Sequence, residues 1–183
     1  MNLTIRRMQS DDIQAVVLID CMSLPTPWPE RAFRQELETP HSRPWVAELS
    51  LPADNGPLVY HSPIPLSLPD LVRQPGERAI AGMLVLWKIV DEAHIATLAV
   101  HPQFRQQGIA QELVKRALQS AASEGVRYAL LEVRAGNLAA QTLYRQFGFE
   151  VFGRRPHYYL DNNEDAILMT LDGLQRFGVK VES

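Results

Sequence analysis

The sequence has a single cysteine, Cys21, among 183 residues. No intrachain disulfide can form, and a reducing compartment suits such a chain. No apolar run approaches the ~20 residues of a membrane-spanning helix, and no charged-then-apolar leader opens the chain. The expectation is a cytoplasmic protein with no membrane partner. Neither sign of charge dominates: 18 Lys and Arg face 21 Asp and Glu, for a net charge of -3. That balance supplies no field for broad contact with nucleic acid, so no direct nucleic-acid partner is expected. The histidines His41, His61, His94, His101 and His157 lack metal-ligand spacing, and no metal site is expected. Internal repeats are absent, and so are the phosphate-loop ending Gly-Lys-Ser/Thr and a GxGxxG fingerprint.

What is present reads as alternating strands and helices with a core for one domain, at 46% hydrophobic residues. "LTIRRM" alternates as a first strand. Ile13, Val16, Val17 and Asp20 recur at helical spacing, with Asp11 or Asp12 placed to cap the start. Pro29 suits a first helical position, and Ala32, Phe33 and Leu37 share a face of the helix that follows. Strands are expected at 45–49, 79–90, 93–100 and 128–134, and two more near 149–155 and 164–171. Ala110, Leu113, Val114, Ala117, Leu118 and Ala121 form a continuous helical stripe that ends before Gly125. A further helix starts at Asn137, a natural N-cap, and stops at Gly148. The fold class is α/β (α+β): a mixed sheet of about six to seven strands flanked by about four helices. The domain spans 1–172, and 173–183 is a tail.

Residues 50–78 differ in character. Six of the thirteen prolines fall there, which argues against a central strand. Yet Leu58, Val59, Tyr60, Ile64, Leu66, Leu68, Leu71 and Val72 are too apolar for a simple solvated linker. Three readings stand open: a mobile insertion, a loop packed on the domain, or a partner-binding segment.

Two stretches carry chemistry. Glu132 ends the apolar run of residues 128–133, which reads as a buried strand, and Tyr144 follows twelve residues later on the next helix. They are either a structural acid paired with Arg134 or Arg155 beside an ordinary amphipathic tyrosine, or a pair of proton-handling groups. The second stretch, Arg105-Gln106-Gln107-Gly108-Ile109-Ala110, joins a strand to a helix. The first amides of a helix lack internal partners and point outward, and the helix dipole adds partial positive charge. Gly108 allows close approach of an anion to the backbone, Ala110 stays small, and Arg105 can add a charge-assisted contact. An ordinary strand-to-helix turn is the alternative.

Arg105-x-x-Gly108-x-Ala110 after a strand resembles the acyl-CoA pyrophosphate motif of the GCN5-related N-acetyltransferase (GNAT) family. Asn137…Leu143-Tyr144…Gly148-Phe149 resembles that family's second motif. "LEVRAGNLAAQTLY", "RRPHYYLDNNEDAILM" and "PWPERAF" are similar to the RimI-type ribosomal-protein N-terminal alanine acetyltransferases. The resemblance runs from about residue 3 to residue 171, interrupted by 50–78. Ala110 stands where the family often has glycine.

The resemblance implies a domain whose central strands 93–100 and 128–134 splay to admit the pantetheine arm of acetyl-CoA. Leu98, Ala99 and Val100 would bond that arm, and Gln106, Gln107, Gly108, Ile109 and Ala110 would hold the pyrophosphate. Asn137 would sit near the arm as well as capping its helix. Glu132 would act as general base and Tyr144 as general acid, in direct transfer without an acyl-enzyme. A peptide α-amine, with a pKa of about 7.7–8.0, loses its proton more easily than lysine at about 10.4, by roughly 3–4 kcal/mol. A modest base therefore suffices for a protein N-terminus. Residues 154–159 would join the last two strands and wall the acceptor groove, with Tyr158 and Tyr159 clamping peptide and Trp28 bordering it. Arg105, Arg154 and Arg155 would alternatively contact CoA phosphates. A polar connection and a core tryptophan are the plainer readings of 154–159 and Trp28. Glu164 and Asp165 read as strand-edge structure, and Cys21 as structural. The implied acceptor is a protein N-terminus, a ribosomal protein's among them, and the enzyme a monomer or weak dimer. Two rivals remain: an enzyme of the same fold acting on a small-molecule amine, and a non-catalytic acyl-CoA-binding module.

Overall fold

A computed structural model describes residues 2–51, 56–61 and 70–178. In chain order it contains β1 (Leu3–Arg7), α1 (Ile13–Ser23), α2 (Glu30–Glu38), β2 (Ser42–Ser50), β3 (Leu58–Tyr60), β4 (Leu71–Arg73), β5 (Arg78–Ile89), β6 (Glu92–Val100), α3 (Ile109–Ser123), β7 (Tyr128–Arg134), α4 (Leu138–Gln146), β8 (Glu150–Tyr159) and β9 (Glu164–Asp172). Seven strands form a mixed sheet in the order β1-β2-β5-β6-β7-β9-β8, and β3 and β4 form a separate pair. Among the described residues, no helix is long and apolar enough to cross a membrane. The chain folds as two compact units: Met1–Val85 with Thr97–Leu113, and Leu86–Ala96 with Val114–Ser183.

The first unit is built on α1, whose residues Ile13 and Ala15–Cys21 are buried almost all round. The one-sided stripe expected there understates this: a helix apolar on every face belongs inside the core. Asp12 does not cap α1 with its side chain; it accepts from Gln9 N at 2.8 Å and holds Arg6 at 2.7 Å. The α2 helix buries only Phe33, and Pro29 precedes it as N-cap, not as its first residue. β1 and β2 pair antiparallel from Leu3↔Leu49 to Arg7↔Trp45.

In the described part of the 50–78 segment, burial is confined to Leu51, Leu58 and Tyr60. β3 and β4 pair antiparallel, and Leu58 and Tyr60 are buried. The prolines 63, 65 and 69 and the apolar Ile64, Leu66 and Leu68 lie outside the described residues.

In the second unit β7 runs parallel to the start of β6, from Glu92↔Tyr128 to Ile95↔Leu131, where the ladder ends. β6 continues to Val100 and β7 to Arg134. On its other side β7 pairs antiparallel with β9 along its whole length, Tyr128↔Asp172 to Arg134↔Ala166. β8 pairs with β9 through two register shifts, between Val151 and Gly153 and between Arg155 and Tyr159. Residues 154–159 therefore belong to an edge strand, which corrects their expected place in the connection between strands. A run with Arg154, Arg155 and His157 looks like a turn by composition, but an edge strand leaves such side chains in solvent. Within 173–183, Leu174 is buried and its N–H donates to Arg127 O at 2.9 Å.

Candidate active site

The first unit contains the turn before α3. His101 N donates to Ala81 O at 2.8 Å, and Pro102–Phe104 makes a short 3-10 turn. Gln106 (φ 60°) and Gly108 (φ 80°) then take left-handed conformations, which fold the backbone sharply just before Ile109 starts the helix. For Gln106 that geometry is uncommon, a local strain of the kind found at ligand-binding turns. Ile109, Leu113, Val114, Ala117, Leu118 and Ala121 are buried, so the stripe starts one residue before the expected Ala110, which is half-buried. Ile109 thus serves as an anchor, and the outward amides at the helix start suit an anion.

Arg105 does not reach outward. Its Nε donates to Val100 O at 3.2 Å and its Nη2 to Ser23 Oγ at 3.1 Å, while Ser23 Oγ also donates to Val100 O at 3.2 Å. Arg105 thereby ties the turn to the end of β6. Gly82 on β5 explains how α3 comes so close: a Cβ there would meet Ala99 O at 3.0 Å, Leu113 Cδ1 at 3.2 Å and Ile109 Cγ2 at 3.3 Å. Trp28 is half-buried, not core; its ring packs on Phe33 at 5.4 Å and its backbone N–H donates to Asp20 Oδ2 at 2.6 Å. Asp20 is fully buried, and that burial raises its pKa to about 6.

The second unit holds Glu132, Tyr144, Tyr158 and Tyr159. β7 alternates: Ala129, Leu131 and Val133 are buried, whereas Glu132 is exposed. The strand is therefore half-buried, a correction to the reading of Glu132 in a buried run. Glu132 pairs with Arg155, Oε1 to Nη1 at 2.5 Å. Arg134, the other partner considered, turns instead to Asp161 at 2.9 Å and Glu164 at 3.3 Å, and lies 3.9 Å from the Tyr159 ring centre. The Glu132 carboxylate raises the pKa of the nearby Tyr158 phenol. The rings of Tyr158 and Tyr159 meet edge-on at 5.1 Å.

Tyr144 is buried, with 6% of its surface exposed, and its ring meets Phe149 edge-on at 5.6 Å. Burial pushes its phenol far above the ordinary value, with a smaller contribution from Tyr159. Tyr159 also feels the charge of Glu132. α4 is set by two devices. Asn137 Oδ1 accepts from Ala140 N at 3.1 Å as the expected N-cap. Gln141, buried, donates from Nε2 to Arg134 O at 3.1 Å and Ala135 O at 2.9 Å. Arg154 pairs with Asp165 at 2.5 Å, and Gly136 N donates to Glu164 Oε1 at 2.6 Å, so Glu164 and Asp165 serve as strand-edge structure, as expected. Among the described residues, no group of three or more His, Cys, Asp or Glu side chains could hold a metal ion.

Residues 13–149 match the family model described as Acetyltransferase (GNAT) family. The chain belongs to the GNAT family. A Bacillus subtilis (strain 168) relative, provisionally named a ribosomal protein bS18-alanine N-acetyltransferase, is 30% identical over 166 residues, covering 90% of this chain and 92% of that one. The N-alpha-acetyltransferase RimI of Mycobacterium tuberculosis (strain ATCC 25618 / H37Rv) is 34% identical over 146 residues, covering 80% and 76%. The crystal structure of the Escherichia coli ribosomal-protein-S18-alanine N-acetyltransferase superposes with a TM-score of 0.72 at 26% identity, covering 93% of this chain and 94% of that one. The GNAT chain is thus an N-acetyltransferase that uses acetyl-CoA, and its mixed seven-stranded sheet with four α-helices among the described residues is the fold of the family.

Three structural features of this GNAT chain have no local signature in the sequence: the close approach at Gly82, the hydrogen bonds of Gln141 and the pair Tyr60–His101. Gly82 and Gln141 act through partners in other elements, so periodicity carries no trace of them. Gly82 is the partial exception, since a glycine inside an otherwise apolar strand is a usable signal of close backbone approach.

Proposed function

We propose that this enzyme transfers acetyl from acetyl-CoA to the N-terminal α-amine of a protein, a ribosomal protein with an N-terminal alanine being the first candidate. The observation that carries the reading is the pairing of Glu132 with Arg155 on the strand that also presents the exposed Tyr158, which sets an aromatic wall beside the proposed base. The names of the Bacillus subtilis and Mycobacterium tuberculosis relatives support it.

Fit to the co-substrate rests on the turn. Left-handed Gln106 and Gly108 and the first amides of α3 form an anion cradle. In this proposal Gln106, Gln107, Gly108, Ile109 and Ala110 hold the pyrophosphate, and Asn137 caps α4 and stays near the arm. The Val100 carbonyl already accepts from Ser23 and Arg105, so Leu98 and Ala99 are the backbone positions assigned to the pantetheine amides. Arg154 and Arg155 serve carboxylates of the chain, which removes the reason to assign them to phosphate.

Glu132 takes the proton of the acceptor amine, directly or through water, after the acceptor displaces Arg155. Tyr144 stays protonated through neutral pH and donates to the departing sulfur. A thiol pKa is about 8.5, below that of this buried phenol, so Tyr144 acts first as a hydrogen-bond donor to the developing thiolate. Cys21 is buried, and burial raises its thiol pKa further, which supports direct transfer over an acyl-enzyme.

The test is thiol release from acetyl-CoA with short peptides that vary in the first residue and carry free or blocked α-amines. Turnover only with free N-termini, strongest for alanine, is expected. Turnover confined to small amines would reassign the acceptor, and CoA binding without turnover on any amine would make the chain a binding module.

A further inference from the structure

The β3–β4 pair touches the proposed phosphate turn through one side chain. Tyr60 is fully buried, its hydroxyl donates to Ile80 O at 2.7 Å, and its ring meets the ring of His101 edge-on at 5.1 Å. His101 in turn begins the turn. Its N–H bonds Ala81 O, its Nδ1 accepts from Gln103 N at 3.3 Å, and its ring packs on Phe104 at 5.6 Å. Burial lowers the pKa of His101, so the ring is neutral, and acceptance at Nδ1 places its proton on Nε2. Ile80 and Ala81 directly precede Gly82, the residue that lets α3 approach β5. Tyr60 therefore grips both supports of the turn: the β5 backbone by a hydrogen bond, and His101 by ring contact.

We infer that the β3–β4 pair braces the phosphate-binding turn, with Tyr60 as a positioning residue that sets affinity for the nucleotide end of acetyl-CoA. The inference rests on the assignment of the turn under the proposed function. Tyr60 touches no reacting atom in this account. It acts through His101 on the course of residues 102–108, whose amides must converge on one anion. A displaced turn weakens every phosphate contact and leaves the thioester chemistry intact.

The experiment compares two acetyl donors, acetyl-CoA and S-acetylpantetheine, which lacks the pyrophosphate and adenosine. Tyr60→Leu is expected to raise KM for acetyl-CoA by roughly 2- to 30-fold, with kcat and the KM for the acceptor unchanged, and with kcat/KM for S-acetylpantetheine as in the wild type. Tyr60→Phe keeps the ring on His101 and loses only the hydroxyl, so it should give a smaller rise with the same selectivity; it decides the matter if the leucine variant does not fold. Equal losses for both donors would mean a general structural role and overturn the inference, as would wild-type KM for acetyl-CoA in a folded Tyr60 variant. If the wild type itself fails to prefer acetyl-CoA over S-acetylpantetheine, the turn assignment fails, and the inference with it.

Discussion

Arg155 on β8 holds Glu132 on β7 by a 2.5 Å contact, with β9 between the two strands in the sheet, while Arg134, only two residues away in sequence, points elsewhere. The side chain of Arg155 is 54% exposed and that of Glu132 31%. Exposed ion pairs of this kind contribute about 0.2–1 kcal/mol. A double-mutant cycle of Glu132→Gln and Arg155→Met, read by urea melts, should give coupling in that range. A coupling above about 2 kcal/mol would make Arg155 too firmly bound for an acceptor to displace.

Tyr144→Phe should lower kcat by roughly 10²–10⁴-fold and leave acetyl-CoA binding near the wild-type value. Burial keeps this phenol protonated, so the wild-type rate should show no fall from its ionisation below about pH 10. Steady-state kinetics across pH, with calorimetry for CoA, check both statements. An unchanged kcat removes the acid role.

Glu132→Gln should be most harmful near neutral pH. As pH rises through the α-amine pKa of about 7.7–8.0, the acceptor loses its proton to solvent and needs the base less. The ratio of wild-type to variant kcat/KM should shrink from about pH 7 to about pH 9. A ratio that stays constant over that interval would place Glu132 outside proton transfer.

Asp20 predicts a pH-dependent stability. Its folded pKa of about 6 lies above the ordinary value of 3.8, so the folded state binds more protons than the unfolded state between them. Stability then falls as pH rises from about 4 to about 6 and levels off above, a loss of about 3 kcal/mol by linkage. Asp20→Asn can keep the bond from Trp28 N and carries no charge, so it should lack this component and melt higher at neutral pH. Thermal melts of both proteins over that range test the sign. Identical pH profiles would show that Asp20 is not the titrating group.

Gly82→Ala should cost about 1–3 kcal/mol of stability, because its Cβ would press on Ala99 O, Leu113 and Ile109. The same displacement should raise KM for acetyl-CoA. Urea melts and steady-state kinetics measure the two effects together, and a variant with wild-type values in both would show that the close approach is dispensable.

Much of the fold was legible because its signals are local. The 3.6-residue stripe of α3 and the Asn137 cap of α4 need only neighbours in sequence. So does the sharp turn before Ile109, which requires a residue tolerant of positive φ at Gly108. Legibility failed at residues 154–159, where charged side chains suggested a connection and an edge strand exposes such groups equally well. It failed also at Tyr60, where surrounding prolines masked a short strand pair whose buried face depends on distant residues.

By itself the sequence determined the order of strands and helices outside residues 50–78, the turn before α3, and the spacing of Glu132 from Tyr144, since all of these arise from short-range backbone preference and apolar periodicity. Only the tertiary structure decided that Arg155 and not Arg134 answers Glu132, and that Tyr144 is buried while Glu132 is exposed. It alone also joined Tyr60 to His101, 41 positions apart in the chain. Each of these depends on which surfaces pack together and exclude water, a long-range outcome with no signature in any local window of the chain.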